Sequence, residues 1–334
     1  MLSLRFAHII HITLLLFLVS GASASYGANR ILVVMSYEEN FYWSQEVKRG
    51  IEQVLAADNE LHYFYMNTKT DFKGGAAKAQ EAYELFQSIK PDGVITVDDN
   101  AQSMFVVPYL RDKTRTPIMF CGVNAPAAQY GYPNQHISGI LERGHIRESL
   151  AFAKQLSPAI QSVGFVTFDS PTGNAMMAQI RNEADSYPVN ICVTRIVRSV
   201  SELEQVASQS EQSCDALYLE SMGGIQDGQG QPMDYQAVSD RVRSYFHSPL
   251  LGGNRIHVES GALSAVIKTG EEQGQTAAEM LLKAIETGDV TSLPVIQNFR
   301  GHRIINVTTL RQFNLKPNPI VLSSAELITS EPDR

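Results

Sequence analysis

Ile31-Leu32-Val33-Val34-Met35-Ser36-Tyr37, followed after five residues by Trp43-Ser44-Gln45-Glu46-Val47-Lys48-Arg49-Gly50-Ile51-Glu52-Gln53-Val54-Leu55, decides the fold. The run from Ile31 to Met35 is apolar without alternation and bounded by polar residues. A strand reads this way when both of its faces are buried, as in a parallel sheet covered by helices. Trp43, Val47, Ile51, Val54 and Leu55 then recur at helical spacing, with Lys48, Arg49 and Glu52 on the other side. One strand feeding one amphipathic helix is half of a βαβ unit, and the pattern repeats downstream. Strands are predicted at Leu61 to Met66, Gly93 to Val97 and Ile118 to Cys121, with helices over Ala76 to Ile89 and Ala101 to Leu110. The repeat restarts after Ile137 to Ile140. It continues with a helix at His145 to Leu156 and strands at Val163 to Phe168, Val189 to Val197, Ala216 to Leu219 and Leu250-Leu251. Helices are predicted at Pro171 to Ser186, Leu203 to Gln209 and Tyr235 to Phe246. Strand starts in both halves are about 30 residues apart, the size of a βαβ unit. The tail departs from a third copy: a strand at Leu263 to Lys268, a long helix at Glu271 to Thr287, and a late strand at Ile304 to Val307.

Alternating strands and helices force parallel sheets with helices on both faces. The fold class is therefore α/β, with two doubly wound, Rossmann-like lobes. The first is expected over 29–142 plus about 263–290, and the second over 143–262 plus about 291–328, so that several crossing segments form a hinge. The total of 334 residues suits two domains, each able to bury a core without metal or disulfide staples. Lys and Arg number 27 against 35 Asp and Glu, a formal net charge of -8. That excludes the basic footprint of a nucleic-acid protein and of a polybasic membrane-surface binder.

Ahead of the first strand lies a tripartite leader. Arg5 is followed by the apolar run Ile12 to Val19 and the small residues Ala22-Ser23-Ala24. This is the layout of a secretory signal peptide over 1–24, and a second cut is open after Ala28. A retained anchor is the alternative, but the run falls short of the roughly 20 residues that span a bilayer. No Cys follows it to carry a lipid, so the mature chain is expected free in the periplasm. Cysteines number three. In an oxidising compartment Cys192 and Cys214 are able to pair. The spacing carries no zinc or thioredoxin signal, and the reading favoured here makes all three small buried hydrophobes.

Further along, several stretches match a known family. The opening Ser36-Tyr37 with Trp43 and Gly50-Ile51, the segment Pro91-Asp92-Gly93-Val94-Ile95 before Asp98-Asp99-Asn100-Ala101, and Pro117 to Asn124 carry the likeness. So does the close, Ile305 to Leu310, Leu315-Lys316-Pro317 and Ser324 to Ile328. Over about Ile31 to Ile328 the chain resembles the periplasmic binding protein type I fold, and within it the substrate-binding proteins of tryptophan/tyrosine-type ABC transporters. The segment with Tyr37 and Trp43 is similar to a subgroup that serves as sensory partners of membrane histidine kinases. The resemblance implies capture of a small ligand between lobes that close on a hinge. It implies an ABC permease or a sensor kinase as protein partner, and no catalysis or cofactor. A monomer is expected. A secreted two-lobed enzyme is the third reading. Against it, no G-x-S-x-G, H-E-x-x-H or Walker sequence is present.

Ligands in this architecture sit beyond the carboxyl ends of the strands. Ser36 and Tyr37 follow the first strand, and Tyr37 offers a ring for stacking. Trp43, at helical spacing, reads as core. Asp98, Asp99 and Asn100 end the third strand, where a carboxylate either caps a helix or takes an ammonium group. Gly122 and Asn124 close the fourth strand. In the second half, Ser170 is an N-cap with Pro171 at the first helical position, leaving the N–H groups of Thr172 and Gly173 for an anion. Glu220-Ser221 and Gly252-Gly253-Asn254 end two further strands, and Glu220 and Asn254 are candidate contacts. Lys268-Thr269-Gly270 precedes the tail helix, with Thr269 as a possible cap. Gly223 to Asp234 is a Gly- and Gln-rich loop, a lid or an insert. His145 and His257 read as ordinary polar residues. An acid on one lobe and free N–H groups on the other fit a zwitterion, an amino acid or a related molecule.

Overall fold

The computed structural model describes residues 28–330, so the expected signal peptide lies outside the described residues. The first half runs β1 (Asn29–Met35), α1 (Tyr42–Leu55), β2 (Asn59–Tyr65), α2 (Gly75–Ile89), β3 (Gly93–Val97), α3 (Asp98–Ala101), a π-helical stretch Gln102–Leu110, β4 (Ile118–Val123) and β5 (Ile137–Leu141). The second half runs α4 (Ile146–Leu156), β6 (Ser162–Phe168), α5 (Pro171–Glu183), β7 (Asn190–Val197), α6 (Val200–Ser210), β8 (Ala216–Glu220), α7 (Tyr235–Arg243), β9 (Leu250–Leu251), α8 (Arg255–Glu259) and β10 (Ser264–Ile267). The tail adds α9 (Gly270–Thr287), β11 (Ile296–Gln297), β12 (His302–Asn306), α10 (Val307–Gln312), α11 (Pro319–Ser323) and β13 (Glu326–Ile328).

Three sheets result. The first has the order β11-β5-β4-β3-β1-β2 and the second β7-β6-β8-β9, and every pairing in both is parallel. The period of two in β1 divides the first core into layers. Ile31, Val33 and Met35 pack with Val47, Ile51 and Leu55 of α1 and with Leu281 of α9. Leu32 and Val34 face Ala79 and Ala82 of α2 and Phe105 of the π-helical stretch. The unbroken apolar run is thus explained by cover on both faces.

The tail differs from its expected boundaries. The sequence boundaries place β10 in the first lobe, whereas it pairs antiparallel with β12 in a third, mixed sheet of order β10-β12-β13. The return to the first lobe begins only with α9, which packs along α1, and it lasts through β11, which pairs with β5 beyond the expected end near 290. An apolar run reports burial, not the partner strand. The helix expected from Ala101 to Leu110 is one α turn followed by π-helix, with Pro108, which has no N–H to donate, inside the π-helical stretch.

α1 and α9 touch backbone to backbone. A Cβ at Gly274 would run into the Val47 carbonyl oxygen, and one at Gly50 into that of Glu271. Neither helix can retreat from the sheet beneath it. Gly274→Ala is therefore expected to destabilise the protein by about 2 kcal/mol through overpacking, read as a lower urea midpoint at unchanged slope. An unchanged midpoint would mean that the helices separate at no cost.

Three segments cross between the halves, and side chains join them in pairs. Asn298 Oδ1 accepts from the Arg143 N–H at 2.6 Å and its Nδ2 donates to the Arg143 carbonyl at 3.0 Å, joining the first crossing to the third. Glu272 Oε1 accepts from the N–H groups of Phe299 and Arg300 at 2.8 and 2.9 Å, joining the second to the third. Lys268 Nζ stands 2.7 Å from Glu142 Oε1, joining the first to the second. His145 belongs to this joint, its Nε2 lying 2.9 Å from the Arg300 carbonyl oxygen.

Cys192 and Cys214 form a disulfide, which corrects the preference for three free hydrophobes, while Cys121 is free and buried. Cys192 lies on β7 and Cys214 just before β8, on either side of β6. Gly164 of β6, where a Cβ would come within 3.3 Å of Cys214 Sγ, leaves the space.

Candidate functional site

Each parallel sheet reverses its strand order next to its first strand, between β1 and β3 in one and between β6 and β8 in the other. The loops at those reversals leave room beyond the carboxyl ends for a ligand.

At the first sheet, most of the expected contacts are consumed by the fold. Ser36 is buried; its Oγ donates to the Val97 carbonyl at 2.5 Å and accepts from the Ala101 N–H at 2.8 Å. Asn100 Nδ2 donates to Thr68 Oγ1 at 2.9 Å. Asp99 accepts from the N–H groups of Asn124 and Ala125 at 2.9 and 3.2 Å and from Tyr130 OH at 2.7 Å. Ser36, Asp99 and Asn100 thus build the floor, and both oxygens of Asp99 accept from the loop after β4.

Asp98 is different. It is 3% exposed, and its Oδ1 accepts from the Trp43 indole N–H at 3.0 Å, but its Oδ2 has no partner among the described residues. Its backbone is left-handed, with φ of 67°. Gly122 admits it, since a Cβ there would stand 2.8 Å from Asp98 Oδ1. Burial first, then the charges of Glu142 and Asp99, push its pKa well above the usual carboxylate range. Trp43 packs against the core as expected, while its N–H aims Asp98. Tyr37 is partly buried, with Phe41 edge-on at 5.5 Å and Lys69 Nζ 4.3 Å from its ring centre. Burial, then Asp98 and Glu142, raise its phenol pKa, so it stays protonated.

At the second sheet, Ser170 caps α5 by accepting from the Gly173 N–H at 3.1 Å. Gly173 is thereby spoken for, and of the expected pair only Thr172, which is exposed, keeps its N–H. Glu220 is 3% exposed; its Oε1 accepts from Asn254 Nδ2 at 2.9 Å and the Ser221 N–H at 3.1 Å, and its Oε2 is unpartnered among the described residues. A Cβ at Gly253 would meet that Oε2 at 2.5 Å and Tyr218 OH at 2.6 Å, so the backbone there comes close to both. His257 is buried too, and its Nδ1 accepts from the N–H groups of Gly253 and Asn254 at 3.1 and 3.3 Å. Burial lowers its pKa against the pull of Glu220, with Lys268 adding to the lowering, so the ring is neutral.

The residues that sequence reasoning missed lie at the joint. Glu142 follows β5 and is 7% exposed; its Oε2 accepts from Asn124 Nδ2 at 3.3 Å, and its Oε1 pairs with Lys268. Burial acts to lower the Lys268 pKa, but the carboxylates of Glu142 and Glu220 outweigh it and hold the ammonium charged. Lys268 therefore feels an acid from each half. Nothing local marks Glu142, and the Lys268 triplet stood out only as a helix start. That part holds: Thr269 Oγ1 accepts from the Glu272 N–H at 3.3 Å.

Chemically, two buried carboxylates with free oxygens, a largely buried lysine and a half-buried phenol suit a charged organic ligand. A 22% identical relative over 187 residues is the tyrosine-binding protein of Clostridioides difficile (strain R20291), aligned over 55% of this chain, and the chain spans only about half, 51%, of that relative. In structure, the chain is similar to an ABC domain from Streptococcus pneumonia in complex with L-Trp, with TM-score 0.59, 16% identity and 90% of this chain and 100% of that one covered. It is also similar to a ligand-free, open substrate-binding protein with adhesive properties from Clostridium difficile, with TM-score 0.70, 15% identity and 91% and 100% covered. These likenesses carry the two-lobed periplasmic binding protein type I fold. The family model for ABC transporter substrate binding proteins, which are extracytoplasmic binders and not enzymes, matches residues 54–328 and so takes in the pairs that hold the crossings together and all the orphaned oxygens of the grip; this chain belongs to that family.

Proposed function

We propose that the protein captures a free amino acid between its lobes in the periplasm and delivers it to an ABC permease in the inner membrane. The observation that carries the reading is Asp98, a buried carboxylate with an unpartnered oxygen at the carboxyl edge of β3. A desolvated acid of this kind is costly unless a cation meets it, and a ligand ammonium supplies one. Tyr37 and Phe41 offer rings to a flat side chain, which makes an aromatic amino acid the first candidate; the tyrosine-binding relative supports the same choice. Glu220, Asn254 and the Thr172 N–H stand at the edge of the other lobe, and ligand contacts to both lobes would favour the closed arrangement.

Calorimetric titration of the purified mature chain with each of the twenty amino acids tests the reading, alongside native mass spectrometry for a carried-over molecule. Binding of at least one amino acid is expected; no binding across the panel and no retained small molecule would sink it. Thr172→Pro removes one N–H at the end of a helix and is expected to weaken binding about tenfold, the worth of one hydrogen bond to a charged group. An unchanged dissociation constant would place the second lobe's contact elsewhere. Affinity capture from membranes separates the two partner readings: a permease supports import, whereas a histidine kinase assigns the same grip to sensing.

A further inference from the structure

We propose that Lys268 holds the carboxylate of the bound ligand, so that the site selects free amino acids over their amides and over the decarboxylated amines. This rests on the amino-acid reading above and adds the anionic half of the ligand to it. Lys268 directly follows β10 and precedes α9, in the second crossing, and its side chain is 15% exposed. Its ammonium has three N–H donors. Among the described residues one carboxylate, Glu142 at 2.7 Å, lies within salt-bridge distance. Glu142 shares its second oxygen with Asn124. Other donors on Lys268 are therefore not taken by a carboxylate, on a side chain largely shielded from water.

The surroundings decide what those donors are for. Lys268 senses Glu142 from the first half and Glu220 from the second, and Glu142 acts in turn on Asp98 and on Tyr37. By contacts the lysine is linked through Glu142 and Asn124 to Asp99, the neighbour of the proposed ammonium site. Asp98, Glu142 and Glu220 are buried acids, and His257 is neutral. A ligand with an ammonium group alone would satisfy Asp98 and leave the spare donors of Lys268 dry. A zwitterion satisfies both ends. Of the other cations nearby, one is partly committed and one lies outside. Arg143 Nη1 donates to the carbonyls of Val123, Asn124 and Glu142 and so anchors the loop after β4. Lys69 is exposed on the outer face of the Tyr37 and Phe41 rings. Thr172 is exposed as well, and a helix end in water attracts less strongly than an ammonium largely shielded from it.

The test titrates L-tyrosine, L-tyrosinamide and tyramine into the wild type, Lys268→Met and the double variant Lys268→Met/Glu142→Gln. If another amino acid of the panel is the one that binds, it is used with its own amide and amine. The double variant strands no carboxylate, which guards against a single variant that fails to fold, and thermal melts confirm folding. The wild type is expected to prefer tyrosine over its amide by about tenfold or more, the worth of one hydrogen bond to a charged group. Removing the lysine should bring acid and amide to within about threefold of each other, with the larger loss falling on the acid. Equal binding of acid and amide by the wild type overturns the proposal. So does a variant that weakens both alike, which would make Lys268 a support of the joint and nothing more. Failure of every amino acid to bind the wild type is a separate result, and it removes the functional reading itself.

Discussion

Asp98→Asn should make the empty protein harder to unfold and the ligand much easier to lose. Asparagine keeps the acceptor for the Trp43 N–H. It also tolerates the left-handed backbone at φ of 67°. What it removes is a buried charge with one unpartnered oxygen. Relief of that charge is expected to raise the stability of the unliganded chain by about 1–2 kcal/mol. Loss of the partner for a ligand ammonium is expected to cost about 100-fold in affinity. Chemical denaturation and calorimetry read the two effects separately, and wild-type affinity in the variant would dismiss Asp98 as the ammonium site.

The pH dependence has a definite sign. The native pKa of Asp98 is raised above the unfolded value of about 3.9. Between those two values the native state holds more protons than the unfolded chain, so Asp98 makes stability fall as pH rises through that window. Ligand affinity should move the other way, rising over the same window as the carboxyl ionises, with a proton released on binding. In Asp98→Asn the Asp98 contribution to both slopes should vanish.

Reduction of the Cys192–Cys214 bond should cost about 3 kcal/mol, the chain-entropy value for a loop of this size, the two residues being 22 apart. The bond straddles β6, the strand that pairs with both β7 and β8. The second sheet should therefore be the first to open. Urea titration with and without a reductant, and Cys192→Ser/Cys214→Ser under oxidising conditions, measure the loss. Identical midpoints would show that the cross-link constrains nothing the sheet does not already fix. Cys121, buried in the first core, should resist alkylation until global unfolding.

The parallel sheets were legible because burial on both faces writes itself into unbroken apolar runs, as in Ile31 to Met35 and Ala216 to Leu219. The third sheet was not. Ser264–Ile267 has the same apolar character as its parallel counterparts, and two- and three-residue strands such as Ile296–Gln297 and Glu326–Ile328 carry no period. For the site, the strand ends were readable as places, but the free atoms were not. Asp98 and Asp99 are neighbours in sequence, yet one folds its loop and the other keeps an empty oxygen. Tertiary partners settled that difference, and they also brought Lys268 to Glu142 from a distant part of the chain. His257 looked ordinary because its helix is five residues long and the acid beside it is on another strand.

Asn298, Glu272 and the Lys268–Glu142 pair clamp the linkers two by two. Any sideways shear or corkscrew motion of one half against the other would have to tear a clamp, whereas a simple swing lets all three turn together. The halves are accordingly expected to swing about the bundled linkers as one joint rather than to slide, so that opening and closing follow a single path.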